Sequence, residues 1–119
     1  MPSSGWAFAL THGIAESLSI AESLGVDPSF VIDVVKDGPM DSPYFQLKSA
    51  AIIAGNYDPS FSLDNAVKDA ELIVDASKRA GVKVDSVEAG LERFKRAQQA
   101  GHGNKDMAAT YFASHYDSV

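Results

Sequence analysis

The chain has no cysteine, which rules out disulfides and thiolate metal ligands. It has no long apolar run either. The longest uncharged apolar stretch lies around Ala50–Ala54, far short of a bilayer span. The first ten residues, MPSSGWAFAL, lack the basic segment of a secretory leader, which fits a cytoplasmic protein. Basic residues are scarce: the formal net charge is −6, and the most basic run, Glu92–Arg96, is flanked by acids. Phosphate backbones are bound by concentrated Lys and Arg, so a nucleic-acid partner is disfavoured. No GxSxG, HExxH or P-loop pattern occurs, and no serine has a base at catalytic spacing.

What remains is the composition of one small globular domain. The 119 residues are 45% hydrophobic and 22% charged, enough for a single core. The periodicity is helical throughout. Trp6, Leu10, Ile14 (with Gly13), Leu18, Ala21 and Leu24 recur at spacings of three and four, predicting a first helix that ends at Gly25. Asp27-Pro28 predicts a capped second helix carrying Phe30, Val31, Val34 and Val35, ended by Gly38-Pro39. Ser42-Pro43 opens a third with Tyr44, Leu47, Ala51 and Ile52. After the turn residues GNYDPS, a fourth helix runs from near Ser62 to Gly81, with Leu63, Val67, Ala70, Val74 and Ser77 inward. Its small residues predict a central position. Asp85-Ser-Val-Glu88 reads as a capping box for a fifth helix with Val87, Leu91, Phe94 and Ala97 on its stripe. GHGNKD breaks the chain before a last helix carrying Met107, Ala108, Tyr111, Phe112 and His115. The fold class is all-α: a single compact domain of about six helices over residues 1–119.

Metal chemistry finds little support, because His12, His102 and His115 are far apart in sequence, and His12 and His115 read better as partly buried helix-face residues. Gly101-His102-Gly103 lacks both the third glycine and the preceding strand of a phosphate loop. Lys68 is the residue to weigh. Asp64 lies four positions before it and Glu71 three after, so local chemistry reads it as one rung of an exposed ion-pair ladder. Phe61, just before the helix, reads as a staple onto the first turn.

Three pieces in order, HGIAESLSIAESLGVDP, GNYDPSFSLDNAVKDAEL and GHGNKDMAATY, resemble the C-terminal helical domain of the β-hydroxyacid dehydrogenases. That family includes 3-hydroxyisobutyrate dehydrogenase, and the domain is 6-phosphogluconate dehydrogenase-like. The likeness runs from about Gly5 to Asp117. It implies an N-terminal Rossmann domain that binds NAD or NADP, a small β-hydroxyacid substrate and subunit contacts that form a homodimer. It places the start of this chain inside the interdomain helix. The family's K-x-x-x-N pattern would put its asparagine near Ser3 or Ser4 and its catalytic lysine upstream of Met1, so no catalytic residue is carried over and the chain is expected to be inactive alone. Phe61 matches the aromatic at the nicotinamide end of the site. Lys68 matches the lysine that reaches cofactor and substrate, and Asp69 an orienting or structural aspartate. Asn65, Ala66 and Ala70 replace larger apolar residues of that pattern, which is expected to leave room beside Lys68. The alternative is a stand-alone helical module that binds a ligand or protein without dehydrogenase activity.

Overall fold

The structure is a computed structural model that describes residues 2–115. Its helices are α1 (Pro2–Ser23), α2 (Ser29–Val35), α3 (Pro43–Ala54), α4 (Leu63–Ala80) and α5 (Asp85–Ala97). A π turn (Gln98–His102) continues α5, and a 3-10 helix (Met107–Ser114) closes the fold. No strand occurs among the described residues; one isolated antiparallel bridge joins Ser62 to Asp106.

The punctuation acts much as the sequence predicts. Gly25, Gly55 and Gly81 adopt the left-handed conformation after α1, α3 and α4. Ser42 caps α3 by accepting from the Phe45 N–H at 3.0 Å, with Pro43 at the first position. Asp27 accepts from the Ser29 N–H at 3.0 Å, with Pro28 already helical in backbone angles. The capping box at α5 does not form. Val84 holds the cap position without a side-chain bond, and Asp85 and Glu88 fall inside the first turn. There their carboxylates still favour the positive end of the helix dipole.

Two apolar clusters make the core. One gathers Phe8 with Leu63, Ala66, Val67, Ala70 and Ile73 of α4, Phe94 and Ala97 of α5, and Met107 and Ala113. Phe8 and Phe94 meet edge to face at 5.2 Å. The other gathers Ile14, Ala15, Leu18, Ile52 and Ala108. α1 and the 3-10 helix both contribute buried residues to the two clusters, so these two elements rather than α4 hold the centre. The buried face of α1 is Phe8, Thr11, Ala15 and Leu18, while Trp6, Leu10 and Leu24 of the expected stripe stay exposed. The last helix is wound as 3-10, whose threefold repeat aligns Met107, Thr110 and Ala113 in one buried row.

Two buried polar nodes lock the clusters together. In the first, Arg93 Nε donates to Thr110 Oγ1 at 3.2 Å and its Nη2 to the Thr110 carbonyl at 2.7 Å. Its Nη1 reaches Glu16 at 3.0 Å. His12 Nδ1 shares the same Thr110 hydroxyl at 3.0 Å, and its ring packs 4.3 Å from that of Phe94. Gly90 makes room for that ring, because a Cβ there would collide with His12 Nε2. Burial, reinforced by the Arg93 cation, pushes the His12 imidazole down from 6.5 to about 4.

The second node is Asp106. Lys48 Nζ donates to its Oδ2 at 2.8 Å, and both side chains are almost fully buried. Oδ2 also accepts from the Ala108 N–H at 3.0 Å, capping the 3-10 helix. Oδ1 accepts from the N–H groups of Ser60 and Phe61, at 3.1 and 3.2 Å. Burial raises the Asp106 carboxyl, but the bonds from Lys48, Ala108 and Phe61 outweigh it and hold the pKa below the usual carboxylate value.

Removing one partner of a buried ion pair strands the other. Asp106→Ala is expected to cost about 3–5 kcal/mol in urea unfolding, and adding Lys48→Met to recover part of the loss. His12 binds fewer protons folded than unfolded, so its contribution is complete above pH 6.5 and falls as pH drops towards 4. The corresponding loss is ~3 kcal/mol. Replacing His12 with Gln should flatten the unfolding profile across that window, and an unchanged slope would refute the burial of a neutral imidazole.

Candidate functional site

Phe61 is set by its backbone before its side chain contacts anything. Its N–H is held by Asp106, and its carbonyl accepts from the Met107 N–H at 2.9 Å. The ring is 37% exposed, and its inner side faces Phe8 at 6.3 Å. The aromatic ring therefore leans on α1, across the first cluster, and keeps an open face.

The next residue starts α4. Ser62 accepts from the Asn65 N–H at 3.2 Å through its side chain, and its carbonyl accepts from the Ala66 N–H at 2.9 Å. The Leu63 and Asp64 N–H groups donate to the Lys105 and Gly103 carbonyls, both at 2.8 Å. The Leu63, Asp64 and Asn65 N–H groups at the start of α4 are thus used by the protein.

Lys68 follows on the second turn of α4. It lies six residues past the cap, about 9 Å along the helix axis. It is exposed and makes no ion pair within 4 Å among the described residues. The ladder read from local spacing is not formed, because both acids turn to α5 and its π turn. Asp64 accepts from Gln98 at 2.8 Å, and Glu71 faces Lys95 at 3.6 Å. Lys68 shares an open groove with Asp64, Val67, Glu71, Lys95, Gln98 and Gln99. Its acidic neighbours pair with Gln98 and Lys95, and its ammonium faces solvent.

Phe61 and Lys68 do not line one pocket: Phe61 precedes α4 with its ring beside α1, and Lys68 lies on α4 in the groove against α5. Asp69 is half-buried and makes no hydrogen bond or ion pair among the described residues. Ala66 and Ala70 leave no room beside Lys68. They are buried on the opposite face of α4, where small side chains bring it close to Phe8 and Phe94. Sequence reading missed the groove's far wall, Lys95, Gln98 and Gln99. Their spacing of three and four continues the wet face of α5, and only the π turn signals a departure there. It also missed Lys48 and Asp106, which sat unnoticed in an apolar stripe and a turn.

Chemically, the arrangement offers an aromatic face just before α4 and a cation on the second turn of that helix. Among the described residues no nucleophile is paired with a base here, and no three metal-ligating side chains converge.

The family model described as NAD-binding of NADP-dependent 3-hydroxyisobutyrate dehydrogenase matches residues 7–113. L-threonate dehydrogenase of Cupriavidus necator is 30% identical over 80% of this chain and 32% of its own length. Glyoxylate/succinic semialdehyde reductase 2 of Arabidopsis thaliana is 26% identical over 85% of this chain and 28% of its own length. Cytokine-like nuclear factor N-PAC of Aedes aegypti is 29% identical over 87% of this chain and 19% of its own length. Among solved structures, 3-hydroxyisobutyrate dehydrogenase from Salmonella typhimurium superimposes with a TM-score of 0.83 at 26% identity, over 91% of this chain and 38% of that one. The chain spans between a fifth and a third of the length of these curated relatives. By the family match across most of its length, the chain belongs to the NAD-binding helical-domain family of the 3-hydroxyisobutyrate dehydrogenases.

Proposed function

We propose that this chain is the helical domain that caps cofactor and substrate in an NAD(P)-dependent β-hydroxyacid dehydrogenase, acting in the cytoplasm with an N-terminal Rossmann domain. The observation that carries this reading is Lys68: an exposed ammonium whose neighbouring acids are engaged elsewhere, in the helix matching the family's lysine–aspartate pair. A cation there attracts the phosphates of a dinucleotide and the carboxylate of a hydroxyacid. Phe61 offers an exposed aromatic face for the nicotinamide ring, at a position fixed by Asp106. Asp69 orients or supports this part of the helix in the assembled protein.

The bound dinucleotide would supply hydride transfer to and from the hydroxyl-bearing carbon. The residues of this chain bind, orient and shield; none of them is placed to take or give the proton of the substrate oxygen. In family members that role falls to a lysine at the start of the interdomain helix. The chain also serves as a dimerisation domain in this reading.

A second reading keeps the fold and drops the chemistry. The likeness to N-PAC, whose name is that of a nuclear factor, supports a helical module that binds a partner without turnover.

The chain alone is expected to show no NAD(P)-dependent oxidation of 3-hydroxyisobutyrate, followed by nicotinamide absorbance. In a heteronuclear NMR titration with NADPH, shifts should concentrate at residues 61–71 and along the Lys95–Gln99 wall. Lys68→Ala should weaken that binding by about tenfold, equal to ~1.4 kcal/mol. Shifts scattered elsewhere, or a titration indifferent to Lys68, would favour the binding module.

A further inference from the structure

The turn that follows α5 brings a lysine and a histidine together. Gly101 bends the chain there with a φ of 99°, a left-handed angle that side-chain-bearing residues seldom adopt. The Lys105 N–H then donates to the His102 carbonyl at 3.1 Å. This closes a turn in which the two side chains meet, Lys105 Nζ lying 2.9 Å from His102 Nδ1. An ammonium only donates, so Nδ1 supplies the accepting lone pair and the ring proton sits on Nε2.

The imidazole is fixed as well as close. Its ring stacks on Phe112, 4.0 Å between centroids and 10° from parallel, and Phe112 meets Tyr57 at 5.1 Å. Lys105 Nζ sits 5.0 Å over the same Phe112 ring. Burial, with the Lys105 cation beside it, holds the His102 pKa below its ordinary 6.5, so the ring is neutral at pH 7. Lys48, Lys83 and Lys95 each face a carboxylate. Lys105 faces a neutral imidazole instead, and both groups are only half-buried.

An amine held against a neutral imidazole has the layout of a nucleophile with its general base. Such a base lies within about 2.6–3.2 Å of the atom that gives up the proton, and a third group orients it. Here the separation is 2.9 Å, and Phe112 is the third group. We propose that Lys105 is an acylation site: its amine takes the acyl group of a small acyl thioester, with His102 as the base. The ammonium first gives one proton to water, leaving a free amine. Its nitrogen attacks the thioester carbonyl carbon and forms the C–N bond, which leaves that nitrogen with one proton too many. His102 Nδ1 takes this proton. The C–S bond then breaks, and the departing thiolate collects the proton from the imidazolium. The products are N-acyl Lys105 and a free thiol, with nothing oxidised or reduced. The modification removes the cation from the face of Phe112.

Incubating the chain with S-acetyl-N-acetylcysteamine, a small neutral thioester, and mapping the products by peptide mass spectrometry tests this. Lys68, exposed and without an imidazole partner, is the internal reference. Lys105 is expected to acetylate about tenfold faster than Lys68, less than an enzyme's general base achieves because nothing here positions the thioester. His102→Phe keeps a ring to stack on Phe112 and removes the base, so it should bring Lys105 down to the Lys68 rate. The unaltered chain gives a second reading. Both amines lose their free form in parallel as pH falls, so the Lys105-to-Lys68 ratio reports His102. It should be level above pH 6.5 and fall below it as the imidazole is protonated. Should circular dichroism show that His102→Phe loses helix, the pH ratio decides alone. Equal rates at the two lysines overturn the proposal. So does a faster Lys105 whose lead survives in folded His102→Phe, or stays level through the acid range.

Discussion

The fold turns on one carboxylate. Asp106 lies among helices with hardly any surface of its own, and the energy of burying it is recovered through Lys48 and three backbone N–H groups. Those bonds fix separate pieces of chain at once: α3 through Lys48, the 56–62 loop through Ser60 and Phe61, and the 3-10 helix through Ala108. The start of α4 follows from the same point, since Ser62 pairs with Asp106 across the isolated bridge. The position of Lys68 is then a matter of helix geometry. A surface lysine inherits its place from a buried pair at the start of its helix.

Much of the architecture was legible because helix boundaries are written in local chemistry. Gly25, Gly55 and Gly81 mark ends through a backbone conformation that few other residues adopt cheaply, and Ser42-Pro43 marks a start. Orientation was harder to read. α1 has apolar residues around most of its circumference, so periodicity alone could not say which stripe faced in, and Trp6 and Leu24 were assigned inward in place of Phe8. The 3-10 winding of the last helix was invisible for a related reason. Alanines and a threonine suit either helix, and the Asp106 cap and tertiary packing decide.

The candidate site drew on two kinds of reading. Phe61, Lys68 and Asp69 came from a resemblance, and local spacing pointed the other way for Lys68. The acids at Asp64 and Glu71 are near it in sequence, yet Gln98 and Lys95 outcompete it for them. That competition depends on where α5 lies, which no short-range pattern contains. The buried charges Lys48 and Asp106 escaped for the opposite reason: each is unremarkable alone and meaningful only as a pair 58 residues apart.

The 3-10 helix has a consequence for how this domain can vary. Its threefold repeat sends one row, Met107, Thr110 and Ala113, towards the first cluster and the Arg93 node, and the next row, Ala108 and Tyr111, towards the second. Inserting or deleting one residue here would turn every following row by about a third of a circle. Each side chain would then be delivered to its neighbour's socket. The exposed turn at Gly55–Pro59 can absorb a change of length, whereas this segment works as an indexed key, tolerant of substitution by small residues and intolerant of any change in count.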